Sequence, residues 1–153
     1  MDVVSKAARS RMMSGIRGKD TKPELIVRKG LHKFGFRYRL HDKMLPGKPD
    51  LVLKKYNAVI FVHGCFWHGH TCHLFKMPQT RREFWESKIK ENRERDEKAV
   101  SALKNKGWRV GVVWECSIKG RTRMNPGELI SSLTSWIKSN RQRITLAGAD
   151  NDT

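Results

Sequence analysis

Acidic residues are scarce in this 153-residue chain: 15 Asp and Glu stand against 32 Lys and Arg, leaving a formal charge of +17. A surplus of that size points to a phosphate-bearing partner rather than to solubility alone. Long apolar runs are absent as well. The longest, Ala58 to Val62, is far too short to span a bilayer, which excludes a helical membrane protein. Met1-Asp-Val-Val leads from no basic flank into no apolar segment, so a signal peptide is not expected and cytoplasmic residence is. Cysteine is sparse and odd in number, three in all, which in a reducing compartment favours metal or catalysis over disulfides. The hydrophobic fraction, 38%, is low, yet five Trp and six Phe argue for a packed core. The length suits one compact domain, and no repeat or low-complexity tract divides it.

Three regions follow from the pattern. Residues 1–20 form a basic arm, with Met12, Met13 and Ile16 close together, able to become helical on a partner. Residues 21–139 carry the periodic segments, and residues 140–153 read as a tail frayed from about Arg141. Thr21, Pro23 and Glu24 make a helix start with a capping box, and the helix runs to about Phe34, with Ile26, Leu31 and Phe34 inward and Gly35 ending it. Phe36 to Leu40 alternates as a strand. Two strands, Asp50 to Lys54 and Asn57 to Val62, follow the turn residues Leu45 to Pro49 and join tightly at Lys55-Tyr56. Thr80-Arg81-Arg82-Glu83 opens a second helix to about Lys106, Trp108 to Trp114 is a buried strand, and Pro126 to Lys138 is a third helix. The expected architecture is α/β: a mixed sheet flanked by helices.

Residues 63–80 obey neither period, and they are dense in metal ligands. Cys65, His70 and Cys72 fall within one short loop, and Cys116 follows the last core strand. Soft thiolates with an imidazole describe a tetrahedral structural zinc site, with the remote cysteine tying the loop to the sheet. All three cysteines are then used. His73 is an alternative to His70 as the fourth ligand.

A second constellation concerns hydrolysis. Asp50 begins a strand whose hairpin partner ends at His63. Ligands at the ends of adjacent strands, within a large positive field, suit metal-assisted cleavage of a phosphodiester. The second helix carries the stripe Trp85, Ile89, Asn92, Asp96, Val100, Leu103. Asp96 thus lies on a face meant for burial and needs a partner, either a loop histidine or an arginine such as Arg93 or Arg95. A His–Asp couple would fix one tautomer and sharpen the imidazole as a base. From spacing alone Glu24 is a capping residue.

Taken together, Leu45-Pro-Gly-Lys-Pro-Asp50, Val62-His-Gly-Cys-Phe-Trp-His68, Asn92-Arg-Glu-Arg-Asp96, Gly107-Trp-Arg-Val and Trp114-Glu-Cys116 resemble the very-short-patch mismatch repair endonucleases. The likeness extends over about residues 5–137. It implies a restriction-endonuclease-like fold with a zinc-bound loop, and nicking of double-stranded DNA 5′ of the thymine in a T·G mismatch left by deamination of 5-methylcytosine. It further implies a monomer linked in function to a cytosine-5 DNA methylase. Carried over by position, Asp50 and the backbone carbonyl of Val62 would bind catalytic Mg²⁺, and Glu24 would hold a water on that ion. His68 would be the general base oriented by Asp96, and His63 would assist at the phosphate. Zn²⁺ would fall on Cys65, His70, Cys72 and Cys116. Restriction-like nucleases usually carry an acidic residue and a lysine where Val62 and His63 stand, so this site departs from that pattern. Phe66, Trp67 and Trp85 match an aromatic wedge that enters the base stack beside the mismatch, where a wobble pair opens more cheaply. Met13 and Ile16 match arm residues that approach the opposite groove. The competing expectations are a zinc-stabilised DNA-binding module without catalysis, and a restriction-type nuclease of other specificity.

Overall fold

In the computed structural model, which describes residues 20–149, helix α1 (Lys22–Lys33) starts where its capping residues require. The Thr21 hydroxyl accepts from the Glu24 amide at 3.4 Å, and Pro23 occupies the first turn. The return bond of the box goes one residue further out, from the Asp20 amide to Glu24 Oε1 at 3.2 Å. Val27 and Leu31 are fully buried, whereas Phe34, expected inward, caps the helix and is 65% exposed. The helix ends one residue too early to carry Phe34 on the buried stripe, and Phe36 fills that part of the core instead.

The sheet has five strands in the order β1 (Arg39–Leu40), β2 (Leu51–Leu53), β3 (Ala58–His63), β4 (Arg109–Trp114), β5 (Arg143–Leu146). The first two pairings are antiparallel and the last two parallel. Only Arg39–Leu40 of the expected Phe36–Leu40 strand joins the ladder. A single 3₁₀ turn, Lys54–Tyr56, closes the β2–β3 hairpin, with Asn57 left-handed at φ 51°. Helix α2 (Arg82–Asn105) crosses from β3 to β4, and helix α3 (Pro126–Lys138) from β4 to β5. The capping box expected at Thr80 does not form: Arg81 takes the cap position at φ 57° with no side-chain bond. Residues 143–146, expected in the frayed tail, pair parallel to β4 with Val110 opposite Arg143 and Val113 opposite Leu146. Arg-Ile-Thr-Leu is short and half-exposed, so its partner β4 determines its state.

Period-two alternation divides the core between the faces of the sheet. Leu51, Leu53, Ala58, Ile60 and Val113 pack with Val27 and Leu31 of α1 and with Leu129, Leu133 and Trp136 of α3. Val52, Val59, Phe61, Val110 and Val112 pack on the other side with Leu103 of α2. The two helices on the first face meet closely at Gly30, where a Cβ would stand 2.4 Å from Ile130 Cδ1. Among the described residues no helix is long and apolar enough to cross a membrane. One consequence of the antiparallel β2–β3 register, in which Leu51 lies opposite Ile60, matters most for chemistry. It sets the start of β2 beside the end of β3, and so Asp50 beside Val62 and His63.

Candidate active site and metal centre

Asp50 Oδ2 accepts from the Val62 amide at 2.7 Å. The contact between these residues therefore runs through the N–H of Val62. Burial pushes the Asp50 carboxyl up to about 7 despite that bond, and the neighbouring Glu24 carboxylate adds to the rise. Glu24 comes from the first turn of α1 and is 2% exposed. Its Oε2 lies 2.7 Å from His41 Nε2 and 3.3 Å from Arg28 Nη1. Its capping function and its proximity to Asp50 thus coexist. Two nearly buried carboxyls sharing one site repel each other, and a cation between them would relieve both. The donor set, hard oxygens only, fits Mg²⁺.

His63 and His68 line the same cleft. His68 Nδ1 meets Asp96 Oδ2 at 2.5 Å, so Asp96 pairs with the loop histidine and not with Arg93 or Arg95. That bond leaves Nε2 as the nitrogen able to exchange a proton with a ligand. The His63 and His68 rings stack at 3.8 Å with planes 7° apart. Burial, reinforced by His68 and Arg143, drives the pKa of His63 well below the usual histidine value, which keeps its ring neutral. Its Nδ1 is buried with no hydrogen-bond partner among the described residues. Asn92, on the same stripe of α2, donates from Nδ2 to the carbonyl of Trp67 at 2.9 Å and so ties the loop to the helix.

Glu24, Asp50, Val62, His63, His68, Asn92 and Asp96 line one open cleft of about 920 Å³, together with Lys48, Lys88, Arg95 and Lys119. Phe66, Trp67 and Trp85 lie along it as a mutually packed cluster, with ring centroids 5.1–5.7 Å apart. None of the three is buried, which separates them from the core aromatics Phe36, Phe61 and Trp136. Met13 and Ile16 lie outside the described residues.

The irregular loop closes on a second cluster. One ligand atom from each of Cys65, His70, Cys72 and Cys116 lies within 4.8 Å of the others. His70 presents Nδ1, 3.6 Å from both Cys65 Sγ and Cys116 Sγ, and its ring stacks on Trp114 at 4.1 Å. Burial lowers the His70 pKa and raises those of Cys65 and Cys116, and proximity of the thiols to one another adds to the latter. A neutral imidazole and three gathered sulfurs fit Zn²⁺, whose charge would favour the thiolates that burial disfavours. His73, the alternative ligand, sits elsewhere, with Nδ1 3.4 Å from Thr122 Oγ1. Amide donors complete the surroundings: Leu74 to Cys72 Sγ at 3.4 Å and Gly148 to Cys116 Sγ at 3.3 Å.

Three participants escaped the sequence reading. His41 follows β1 and has no spacing relation to Glu24, so no local signal could reveal it. Glu115 accepts from the Cys65 amide at 3.1 Å, and its position next to Cys116 was a usable hint. Trp114 was read as a strand end, and its stacking on His70 depends on how the loop folds back.

Comparison with known proteins places the chain in a family. A sequence profile for the family described as DNA mismatch endonuclease Vsr matches residues 1–74. The chain is 47% identical over 136 residues to the DNA mismatch endonuclease Vsr of Escherichia coli K12, covering 89% of this chain and 87% of that protein. It is 48% identical to the type II nicking enzyme V.XorIIP of Xanthomonas oryzae pv. oryzae, over 76% of this chain and 86% of the relative. It is also 48% identical to the type II nicking enzyme V.NmeAIP of Neisseria meningitidis serogroup A, over 78% and 86% respectively.

Proposed function

Because this chain belongs to the Vsr family of DNA mismatch endonucleases, we propose that it nicks one strand of duplex DNA 5′ of the thymine in a T·G mismatch, by Mg²⁺-assisted hydrolysis. The observation that carries this reading is the gathering of two unlike pairs in one open cleft. One is the Asp50–Glu24 carboxyl pair, and the other the His68–Asp96 couple stacked on His63. A module that only binds DNA has no use for a proton-handling couple in one cleft with a carboxyl pair.

Asp50 and the Val62 carbonyl would hold Mg²⁺, with Glu24 beside them. When bound, that ion supplies positive charge to the phosphate oxygens and makes water easier to deprotonate. His68, held in one tautomer by Asp96, takes the proton of the attacking water at Nε2. His63, neutral and stacked against it, keeps that ring in plane and offers a hydrogen bond at the phosphate. Lys48, Lys88, Arg95 and Lys119 hold the backbone in the cleft. Phe66, Trp67 and Trp85 would enter the stack beside the mismatch, where unstacking costs least. Met13 and Ile16 would complete a clamp from the opposite groove. The cysteine–histidine cluster would hold Zn²⁺ in a structural role and so shape the loop that carries His68 and the wedge. The relatives described as nicking enzymes support cleavage of one strand. A T·G substrate of this kind arises where a cytosine-5 methylase acts, and that defines the functional partner.

The test uses end-labelled duplexes that differ only in carrying T·G, T·A or C·G at one position, each with Mg²⁺ and with EDTA. Nicking confined to the thymine strand of T·G, and lost in EDTA, is the expected result. Equal cutting of the paired duplexes would overturn the mismatch assignment, and activity in EDTA would overturn the cation.

A further inference from the structure

His41 touches both Asp50 and Glu24, by different atoms. Its backbone N–H donates to the Asp50 carbonyl at 3.0 Å, and its ring Nε2 lies 2.7 Å from Glu24 Oε2. Among the described residues no other makes hydrogen bonds to both the main chain of Asp50 and the side chain of Glu24. Its backbone is left-handed, φ 50°, an unfavourable state for a residue with a Cβ. Such a conformation persists only where its surroundings hold it, and here two hydrogen bonds do so. Glu24 needs an anchor of this kind. It is 2% exposed, beside a second carboxyl, and the capping bond engages only Oε1. Arg28 contributes at 3.3 Å, but it is drawn toward Asp20 at 2.5 Å.

We propose that His41 is a positioning residue that locks Glu24 against Asp50 and so sets the affinity of the carboxyl pair for a divalent cation. The inference rests on the reading of Asp50 and Glu24 as the cation site. Without the ring, Glu24 keeps its capping bond, the longer contact to Arg28 and its side-chain hydrogen bond to Asp50, but Oε2 loses its shortest partner and with it the fixed geometry of the pair. Neighbours that orient a ligand in this way commonly contribute 10–100-fold to affinity.

The test measures Mn²⁺ binding by electron paramagnetic resonance in the absence of DNA, on the zinc-loaded full chain. The D50N variant identifies the site by the binding it removes. H41G keeps the left-handed backbone and its bond to Asp50 while deleting the ring, so folding is spared. It should weaken the Asp50-dependent Mn²⁺ site about 10-fold, while H41Q, which restores a side-chain donor, should recover most of the loss. The Mg²⁺ concentration for half-maximal nicking should shift in parallel, with the rate at saturating Mg²⁺ changed less. Equal Mn²⁺ affinity in wild type and H41G would overturn the proposal. So would equal weakening in H41G and H41Q, which would assign the effect to packing. Because the titration contains no DNA, failure of the T·G preference would count against the proposed function alone.

Discussion

Asp50 is held at a cost to the fold. Its carboxyl ionises near 3.8 in an unfolded chain and near 7 in the folded one, because burial and Glu24 disfavour the charge. The folded state therefore binds this proton more tightly than the unfolded state does. Without a cation, stability should fall as pH rises from about 4 to about 7, and the loss is complete above that, on the order of 2–4 kcal/mol. D50N removes the linkage and keeps an acceptor for the Val62 amide. With zinc bound and no added Mg²⁺, its melting temperature should exceed that of wild type by a margin that opens across this window and closes below pH 4. Added Mg²⁺ at pH 8 should raise the wild-type melting temperature and leave D50N unmoved. Melting curves at five pH values check both statements. The His68–Asp96 couple yields a kinetic prediction at the same scale. H68A and D96N should each slow single-turnover nicking by about 10²–10⁴-fold, and the double variant should be little worse than H68A, since both act on one proton transfer. Additive losses, or a D96N defect confined to thermal stability, would make the helix carboxylate a scaffold residue.

Among the elements, the loop between β3 and α2 has the least regular structure of its own and the most cross-links to others. Cys116 joins it to the end of β4, and Gly148, just past β5, donates to the Cys116 sulfur. The edge strand thus supports the sulfur cluster as well as extending the sheet. C116A should lose about one Zn per chain and melt at lower temperature, with the defect greater than for a surface substitution. Truncation after Asn140 removes β5 and the Gly148 amide together. It should lower the melting temperature and speed zinc release to a chelator, whereas a tail without structural function would change neither. Zinc content by elemental analysis and release followed by a chromogenic chelator separate these outcomes.

At the scale of the whole molecule, the charge of +17 and the basic residues along the cleft act without regard to base sequence. Binding to paired duplex should fall steeply with salt; for about six neutralised phosphates the loss between 50 and 200 mM is about 10³-fold. Discrimination between T·G and T·A should depend on salt far less, because stacking of Trp67 and its neighbours releases no counterions. W67A should therefore shrink the T·G over T·A affinity ratio while leaving the slope of log affinity against log salt unchanged. Fluorescence anisotropy on the zinc-loaded protein without added Mg²⁺, over a salt series, measures both quantities on one protein. A changed slope with an unchanged ratio would remove Trp67 from mismatch recognition.

Much of what depends on neighbours a few residues apart was legible in the amino-acid order, though the capping box expected at Thr80 does not form. Thr21 and Pro23 start α1, Gly107 follows α2, and α3 runs from Pro126 to Lys138 as its period requires. The local spacing of Cys65, His70 and Cys72 marks side chains that the fold gathers with Cys116, and the stripe on α2 marks Asp96 as a carboxylate in need of a partner, which His68 supplies. The tertiary structure decided what local spacing cannot encode. Asp50 meets Val62 because the β2–β3 register sets strand start against strand end, and Glu24 leaves a purely capping function because α1 packs its first turn beside that register. His70 rather than His73 faces the sulfurs because the loop folds back onto Trp114. Phe34 faces solvent because α1 stops before it, and residues 143–146 become a strand because β4 offers an unpaired edge. Helix and turn preferences act over a few residues through local sterics and hydrogen bonds, whereas the meeting of Glu24, His41 and Asp50 is a property of register and packing, which exist only once the elements are assembled.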